Sequence, residues 1–224
     1  MQHVAENSEF GFERIEFLAE LVFDEVMARI AVLASHGGST FQAIAEAVQN
    51  GSIHAELSCL MTSNGKAYAL TRAEQLGVFA MVIEPKAFPS FDAWDAKMLE
   101  VLRSLDVDVV LLAGFTRQIG PKVLQAFEGR ILNTHPSLLP KYGGQGMYGI
   151  RVHQAVIENK EEISGISIHQ VTANYDEGPV IAQREVPVLE GDRAEDLQAR
   201  IQEVEKPFYI EVIQQFLQQN IYLS

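Results

Sequence analysis

Apolar, strand-like runs alternate with amphipathic stretches from residue 29 onward, and this alternation constrains the fold more than any other feature of the chain. Strands are predicted over 29–34, 56–61, 79–83 and 107–113, and helices over 39–49, 67–76 and 91–105. Strands that alternate with helices form parallel sheets whose two faces are covered by helices. The first half therefore predicts a Rossmann-like α/β fold.

The second half departs from this alternation. A strand ending near 133 is followed by a glycine-rich loop over 143–149, a helix over 152–158, and strands over 165–171 and 180–188. The last two strands are joined by Tyr175-Asp176-Glu177-Gly178-Pro179, a composition that favours a turn. We expect a mostly parallel sheet with helices on both faces and a mixed or antiparallel C-terminal addition. The final helix contains Pro207, which is expected to kink or split it.

The length of 224 residues suits one domain, which we expect to span 27–224. Residues 1–26 carry seven acidic side chains against one arginine and precede the first core strand. This acidic N-terminal extension has enough apolar residues for one amphipathic helix. It could dock on the body of the protein or on a partner subunit, and the chain as a whole is expected to be a monomer or a homodimer.

Composition excludes several classes of function. The net charge of −13 argues against a nucleic-acid partner, and the apolar runs are too short for a membrane span. The N-terminus lacks a secretory leader, and a single cysteine agrees with a reducing, cytoplasmic location. Cys59 is expected to be a core residue rather than a nucleophile. No cysteine and histidine spacing is typical of zinc, so no metal is expected.

An amide and an imidazole stand at the end of the strand near 133, in Asn133-Thr134-His135-Pro136. Alternate side chains of a strand share a face, so Asn133 and His135 should point the same way. The carboxyl ends of parallel strands border the crevice in which ligands bind. An amide beside an imidazole can stabilise an oxyanion and move a proton. The alternative is that His135 only caps a loop.

The segment His36-Gly37-Gly38-Ser39-Thr40 lies between the first strand and the first helix. Free amides at a helix N-terminus favour an anion such as a phosphate. Neither the dinucleotide pattern nor the P-loop pattern of glycines is present, which favours a mononucleotide-like phosphate. The alternative is a strand-to-helix turn capped by a hydroxyl.

Asp176 is the best-placed acid of the second half. If its turn folds over the end of the Asn133 strand, the carboxylate would orient His135 and raise the pKa of that imidazole. The alternative is an aspartate bonded to its own turn. Two further histidines are ambiguous: His153 is expected on a helix surface, and His169 faces either solvent or the site. The 143–149 loop is either a mobile flap or a loop pinned by ligand or packing.

Taken in order, these motifs and the segment Ala113-Gly114-Phe115-Thr116-Arg117 resemble the phosphoribosylglycinamide formyltransferases, also called glycinamide ribonucleotide transformylases. The resemblance covers the chain from about Ile30 to the C-terminal helix. It implies a formyltransferase fold, 10-formyltetrahydrofolate as co-substrate and a catalytic trio of Asn133, His135 and Asp176. The residues it implies for the nucleotide substrate are Gly38, Ser39, Thr40, Gln202, Glu203, Val204 and Glu205. Those it implies for folate are Thr116, Arg117, Gln118, Ile119, Asn133, Thr172, Ala173, Asn174, Tyr175 and Asp176.

The resemblance implies formyl transfer from folate to the amine of glycinamide ribonucleotide in purine biosynthesis. Two positions depart from the family: Thr40 stands where asparagine is common, and Phe91 where some members place an arginine toward the folate tail. Rival interpretations are a formyltetrahydrofolate deformylase, another folate-dependent formyltransferase, and a noncatalytic phosphate-binding module.

Overall fold

The computed structural model describes residues 27–220, which build one seven-stranded sheet in the order β3-β2-β1-β4-β5-β6-β7. The strands are β1 (Arg29–Leu33), β2 (Glu56–Thr62), β3 (Ala80–Val82), β4 (Val109–Leu112), β5 (Ile131–His135), β6 (Ile163–Gln170) and β7 (Val180–Pro187). The helices are α1 (Ser39–Gln49), α2 (Ala69–Gln75), α3 (Phe91–Ser104), α4 (Pro121–Ala126), α5 (Ile150–Glu158) and α6 (Ala194–Asn220), with a 3-10 turn at Pro85–Ala87.

The sheet changes direction at β5. Strands β1 to β5 pair in parallel, whereas β5 pairs with β6, and β6 with β7, in antiparallel fashion. The predicted class is confirmed: a mostly parallel α/β sheet with an antiparallel C-terminal addition. The antiparallel pairing brings His169 of β6 opposite Asn133 of β5.

Two apolar cores lie on opposite faces of the sheet. Helices α1, α2, α5 and α6 cover one face, whose buried residues include Ile30, Val32 and Leu132. Helices α3 and α4 cover the other face, which buries Ala31, Leu33 and Ile131. Because strand side chains alternate between faces, Asn133 and His135 share the side of Ile131, as predicted.

Helix α4 was not predicted from the sequence. It has only six residues, too few for a clear periodic pattern. It begins with Pro121, and the buried carboxylate of Asp95 on α3 accepts hydrogen bonds from the amides of Lys122 (2.7 Å) and Val123 (3.3 Å). The helix therefore depends on a cap supplied from a distant part of the chain.

Of the two effects expected of Pro207, the split is wrong, because α6 is one continuous helix of 27 residues, and the kink stays a prediction. The hydrogen bond lost at proline is offset by tertiary packing: Phe208 and Tyr209 directly after it are buried. The Tyr209 hydroxyl donates to the carbonyl of Leu132, 3.0 Å away in the sheet.

Other expectations concern single features. Cys59 is buried in β2, and burial raises the pKa of its thiol to about 12, which confirms a core role. Within residues 27–220, no helix has both the length and the apolar character required to cross a membrane. The expected helical extension over 1–26 lies outside the described residues.

Candidate active site

A cavity of about 800 Å³ opens at the carboxyl edge of the parallel strands. This volume is within the usual range of small-molecule sites. The sequence-predicted residues that line it are Gly38, Ser39, Thr40, Thr116, Arg117, Gln118, Ile119, Asn133, His135, Thr172, Ala173, Asn174, Tyr175, Asp176, Gln202 and Glu205. Glu203 and Val204 do not line it. Successive helical residues rotate by about 100°, which turns these two side chains away.

The loop before α1 presents backbone donors to the cavity. Gly38 takes the N-cap position with φ 71°, and no side chain caps the helix. A Cβ at Gly38 would lie 2.6 Å from Cβ of Ala69, so only glycine fits there. The first helical hydrogen bond runs from Gln42 to Gly38, which leaves the amides of the first turn for an anion.

Asn133 is oriented by His169 across the β5–β6 pair. Nδ1 of His169 lies 3.0 Å from the carbonyl of Gln170, and a carbonyl only accepts, so Nδ1 carries the proton. Nε2 of His169 then accepts from the Asn133 amide at 3.0 Å. His169 is buried and faces the site, which answers the question left by the sequence. One amide hydrogen of Asn133 is used, and the other remains for a ligand.

His135 is held between a backbone carbonyl and a carboxylate. Its Nε2–H donates to the carbonyl of Tyr142 at 2.8 Å, and its Nδ1 lies 3.4 Å from Oδ2 of Asp176. Burial, offset only in part by Asp176, lowers the pKa of His135. Asp176 acts to raise this pKa, as expected, but the loss of hydration outweighs the attraction of one carboxylate. A proton bound at Nδ1 would nevertheless form an ion pair with Asp176.

Asp176 lies where its turn was expected to bring it. Its backbone is left-handed, with φ 58°, and its Oδ2 accepts from the amide of Gly144 at 2.9 Å. Burial alone would raise the pKa of this carboxyl, yet the neighbouring His135 and the Gly144 amide, which donates to it, hold the pKa below its ordinary value. Asp176 therefore remains an anion beside His135 at neutral pH.

The start of the glycine-rich loop is pinned by the protein itself. The Tyr142 carbonyl accepts a hydrogen bond from His135, and the Gly144 amide donates one to Asp176. In addition, the Tyr142 hydroxyl donates to Glu161 at 2.9 Å. Lys141 pairs with the same carboxylate at 2.9 Å. Of the two alternatives drawn from the sequence, packing and hydrogen bonds hold this first part of the loop.

His153 is not on the helix surface, contrary to expectation. It is 2% exposed, lines the cavity, and its Nδ1 has no partner among the described residues. Burial, with a smaller effect of His135, lowers the pKa of His153 to about 4. The sequence missed this because Val152 and His153 are both buried on α5, so the buried face is broader than the apolar pattern suggested.

The cavity has a second wall, on the α4 side of the sheet and across from the loop before α1. It is formed by the 116–119 loop and the 172–176 loop. The amide of Thr116 donates to the hydroxyl of Ser35 at 3.1 Å, and the Gln118 side chain donates to the carbonyl of Ala173 at 3.2 Å. The second bond ties the 116–119 loop to the 172–176 loop. Phe91 lies outside the cavity lining, with its ring 5.6 Å from that of Trp94.

A stripe of α6 lines the cavity on the α1 side. Gln198, Gln202 and Glu205 follow one another at helical spacing, and Gln198 was missed by sequence reasoning. Burial raises the pKa of Glu205, although Thr134 and Lys206 act in the opposite direction. Within residues 27–220, no group of three or more histidine, cysteine, aspartate or glutamate side chains has the arrangement needed to hold a metal ion.

Known proteins share this architecture. A family model described as formyl transferase matches residues 28–213. The chain is 39% identical to phosphoribosylglycinamide formyltransferase of Escherichia coli (strain K12), over 84% of this chain and 86% of that protein. It is also 39% identical to the chloroplastic phosphoribosylglycinamide formyltransferase of Vigna unguiculata over 86% of this chain, and spans 62% of that relative's length. The crystal structure of glycinamide ribonucleotide transformylase 1 from Symbiobacterium toebii matches with a TM-score of 0.83 at 40% identity, covering 88% of this chain and 91% of that one.

Proposed function

Because the chain belongs to the formyl transferase family, we propose that it transfers the formyl group of 10-formyltetrahydrofolate to the amine of N1-(5-phosphoribosyl)glycinamide. The products are the formylated ribonucleotide and tetrahydrofolate, a step of de novo purine biosynthesis. The observation that carries this proposal is the paired network of Asn133 with His169 and His135 with Asp176, at the point where both walls of the cavity meet. The activity resides in the single domain that begins at residue 27.

The two walls suit the two substrates. The free amides at Gly38, Ser39 and Thr40 would receive the phosphate of the nucleotide, with the ribose against Gln202 and Glu205. The folate pterin would lie between the 116–119 and 172–176 loops, which are tied together by Gln118. The amine and the formyl carbon then meet beside Asn133.

The reaction is a direct acyl transfer. The amine nitrogen attacks the formyl carbon, a carbon–nitrogen bond forms, and the carbonyl electron pair moves to oxygen. The free amide hydrogen of Asn133 stabilises this oxyanion. The oxyanion then reforms the carbonyl, the bond to N10 of folate breaks, and N10 receives a proton as the amine loses one.

His135 and Asp176 manage that proton. Because its pKa is lowered, His135 is in the neutral form at neutral pH, and its unprotonated Nδ1 is available to accept a proton. Once protonated, the imidazolium is stabilised by Asp176, 3.4 Å away, and helps to neutralise the oxyanion. The proton then passes to the folate nitrogen, directly or through water.

One assay tests this proposal against its rivals. Purified protein is mixed with 10-formyltetrahydrofolate, with and without the glycinamide ribonucleotide, and folate absorbance is followed. We expect release of tetrahydrofolate only when the amine is present. Release without the amine would make the protein a deformylase. No release under either condition would reject the proposal and favour a formyltransferase for another amine or a noncatalytic binding module.

A further inference from the structure

Arg151 lies in the first turn of α5, lines the cavity and is exposed. Its guanidinium carbon is 5.2 Å from the ring centroid of Tyr148, at the end of the glycine-rich loop. Among residues 27–220, no carboxylate lies within ion-pair distance of Arg151 and no oxygen accepts a hydrogen bond from it. The aromatic contact thus restrains a guanidinium whose donors are all free.

Most arginines in the described part of the chain already donate hydrogen bonds to other protein groups. Those whose donors are occupied by carboxylate or carbonyl oxygens are Arg29, Arg72, Arg130, Arg184, Arg193 and Arg200. Arg103, Arg117 and Arg151 have no such partner in the part of the chain that the structure describes. Two of these three, Arg117 and Arg151, line the cavity, whereas Arg103 does not.

The fold places these two arginines on different sides of the cavity. Arg117 follows β4 on the loop that leads to α4, which packs on the face of the second core. Arg151 lies in the first turn of α5, which packs against α6 on the opposite face of the sheet, the face that α1 also covers. Helix α6 contacts both α1 and α5, and its cavity stripe lines the same cavity as the starts of these two helices. Arg151 therefore belongs to the wall that contains the Gly38–Thr40 loop.

A cation on that wall would add a charge-assisted hydrogen bond to those from the backbone amides. Arg72 does not provide it, because its Nε donates to the carbonyl of Gly37 at 2.8 Å and it does not line the cavity. The acid on this wall, Glu205, would repel a phosphate dianion when ionised. Among the described residues that line the cavity, Arg151 is the one lysine or arginine on the same wall as the Gly38–Thr40 loop.

We propose that Arg151 is a specificity-determining residue that binds the phosphate of the ribonucleotide substrate together with the Gly38–Thr40 amides. Its planar fork can hold two phosphate oxygens at once. Tyr148 supports the guanidinium from one face and limits the conformations it must lose on binding. This inference rests on the proposed function and names the residue by which that site selects a phosphorylated substrate.

The test pairs a protein variant with a substrate variant. The wild type and Arg151→Ala are assayed with the glycinamide ribonucleotide and with the corresponding riboside, which lacks the phosphate. A hydrogen bond to a charged group corresponds to about a 10- to 100-fold change in an equilibrium constant. We expect Arg151→Ala to lower kcat/KM for the ribonucleotide by about that factor and for the riboside by less than about 3-fold. Arg151→Lys keeps the charge without the fork and should recover part of the loss.

Arg103→Ala is the matched control, since it removes an exposed, unpaired arginine of α3 outside the cavity. It should leave both values of kcat/KM unchanged. Equal losses for ribonucleotide and riboside in Arg151→Ala would overturn the inference, as would a selective rise in KM for folate. Failure of the wild type to use the ribonucleotide at all would instead reject the proposed function, so the two failures are distinguishable.

Discussion

The parallel half of the sheet and its antiparallel addition contribute to the cavity in different ways. Strand β1 leads into a loop that offers backbone amides, whose positions depend on glycine and on a helix start. Strands β5 and β6 offer side chains that orient one another, as His169 does Asn133. Anion binding by backbone tolerates many side-chain changes, whereas proton chemistry depends on each named side chain. The two halves should therefore respond differently to substitution.

The largest effects should come from the antiparallel half. Asn133→Ala, His135→Ala and Asp176→Ala should each lower kcat by about 100- to 1,000-fold, the usual loss for one oxyanion donor or proton-transfer group. KM for both substrates should change much less. Steady-state kinetics in the amine-dependent assay measure both quantities. Near-normal turnover in purified Asp176→Ala would remove that residue from the mechanism.

On the parallel side, Gly38→Ala should act through the backbone. The new Cβ would meet Ala69 at 2.6 Å in a left-handed conformation, which costs about 1–3 kcal/mol in free energy of unfolding. The displaced amides should raise KM for the ribonucleotide by about tenfold or more, with kcat less affected. Denaturant titration and kinetics measure the two effects.

Gly37→Ala is the matched control for stability. A Cβ at Gly37 meets nothing within 4 Å, so its free energy of unfolding should stay within about 0.5 kcal/mol of wild type. Equal destabilisation by the two substitutions would show that the loop is not held by Gly38.

Acid should unfold the protein through the buried imidazoles of the cavity. The pKa of His153 is about 4 when folded against 6.5 ordinarily, so between these values the unfolded chain binds more protons. Stability is then fully present above pH 6.5 and falls as pH drops through this window, with a limiting slope of about 1.4 kcal/mol per pH unit for each such group. The pKa of His135 is lowered too and adds to this slope.

Denaturant titrations of wild type and His153→Gln at several pH values measure that slope. The variant should lose the contribution of one group and keep that of His135, so its stability should depend less steeply on pH. Identical slopes in the two proteins would mean that His153 is not buried as a neutral imidazole.

Features of the fold that depend on local sequence could be predicted, whereas those that depend on contacts between distant segments could not. Strand and helix periods are local signals, and they predicted the sheet class and the shared face of Asn133 and His135. The short helix α4 and the unbroken α6 escaped prediction, because a cap from Asp95 and packing around Tyr209 are contacts between distant segments.

For the site, the resemblance predicted cavity residues on both walls, but not the state of the groups in it. The net direction of the His135 pKa depends on how much burial removes hydration, and the position of His153 depends on how far the buried face of α5 extends. Neither quantity is encoded in a motif. The catalytic and binding roles of the residues gathered in the cavity stay predictions.

The smallest predicted effect tests which face of α6 is turned toward the cavity. It compares the neighbouring residues Gln202 and Glu203. Gln202 lines the cavity and Glu203 does not. Because a neutral hydrogen bond contributes about 0.5–1.5 kcal/mol, Gln202→Ala should raise KM for the ribonucleotide by about 2- to 10-fold. Glu203→Ala removes an exposed side chain one position further along and should leave that KM within error. Since both are surface positions of one continuous helix, equal thermal stability would confirm that the difference in KM reflects binding. A larger effect at Glu203 would mean that the helix presents another face to the nucleotide than the one that lines the cavity.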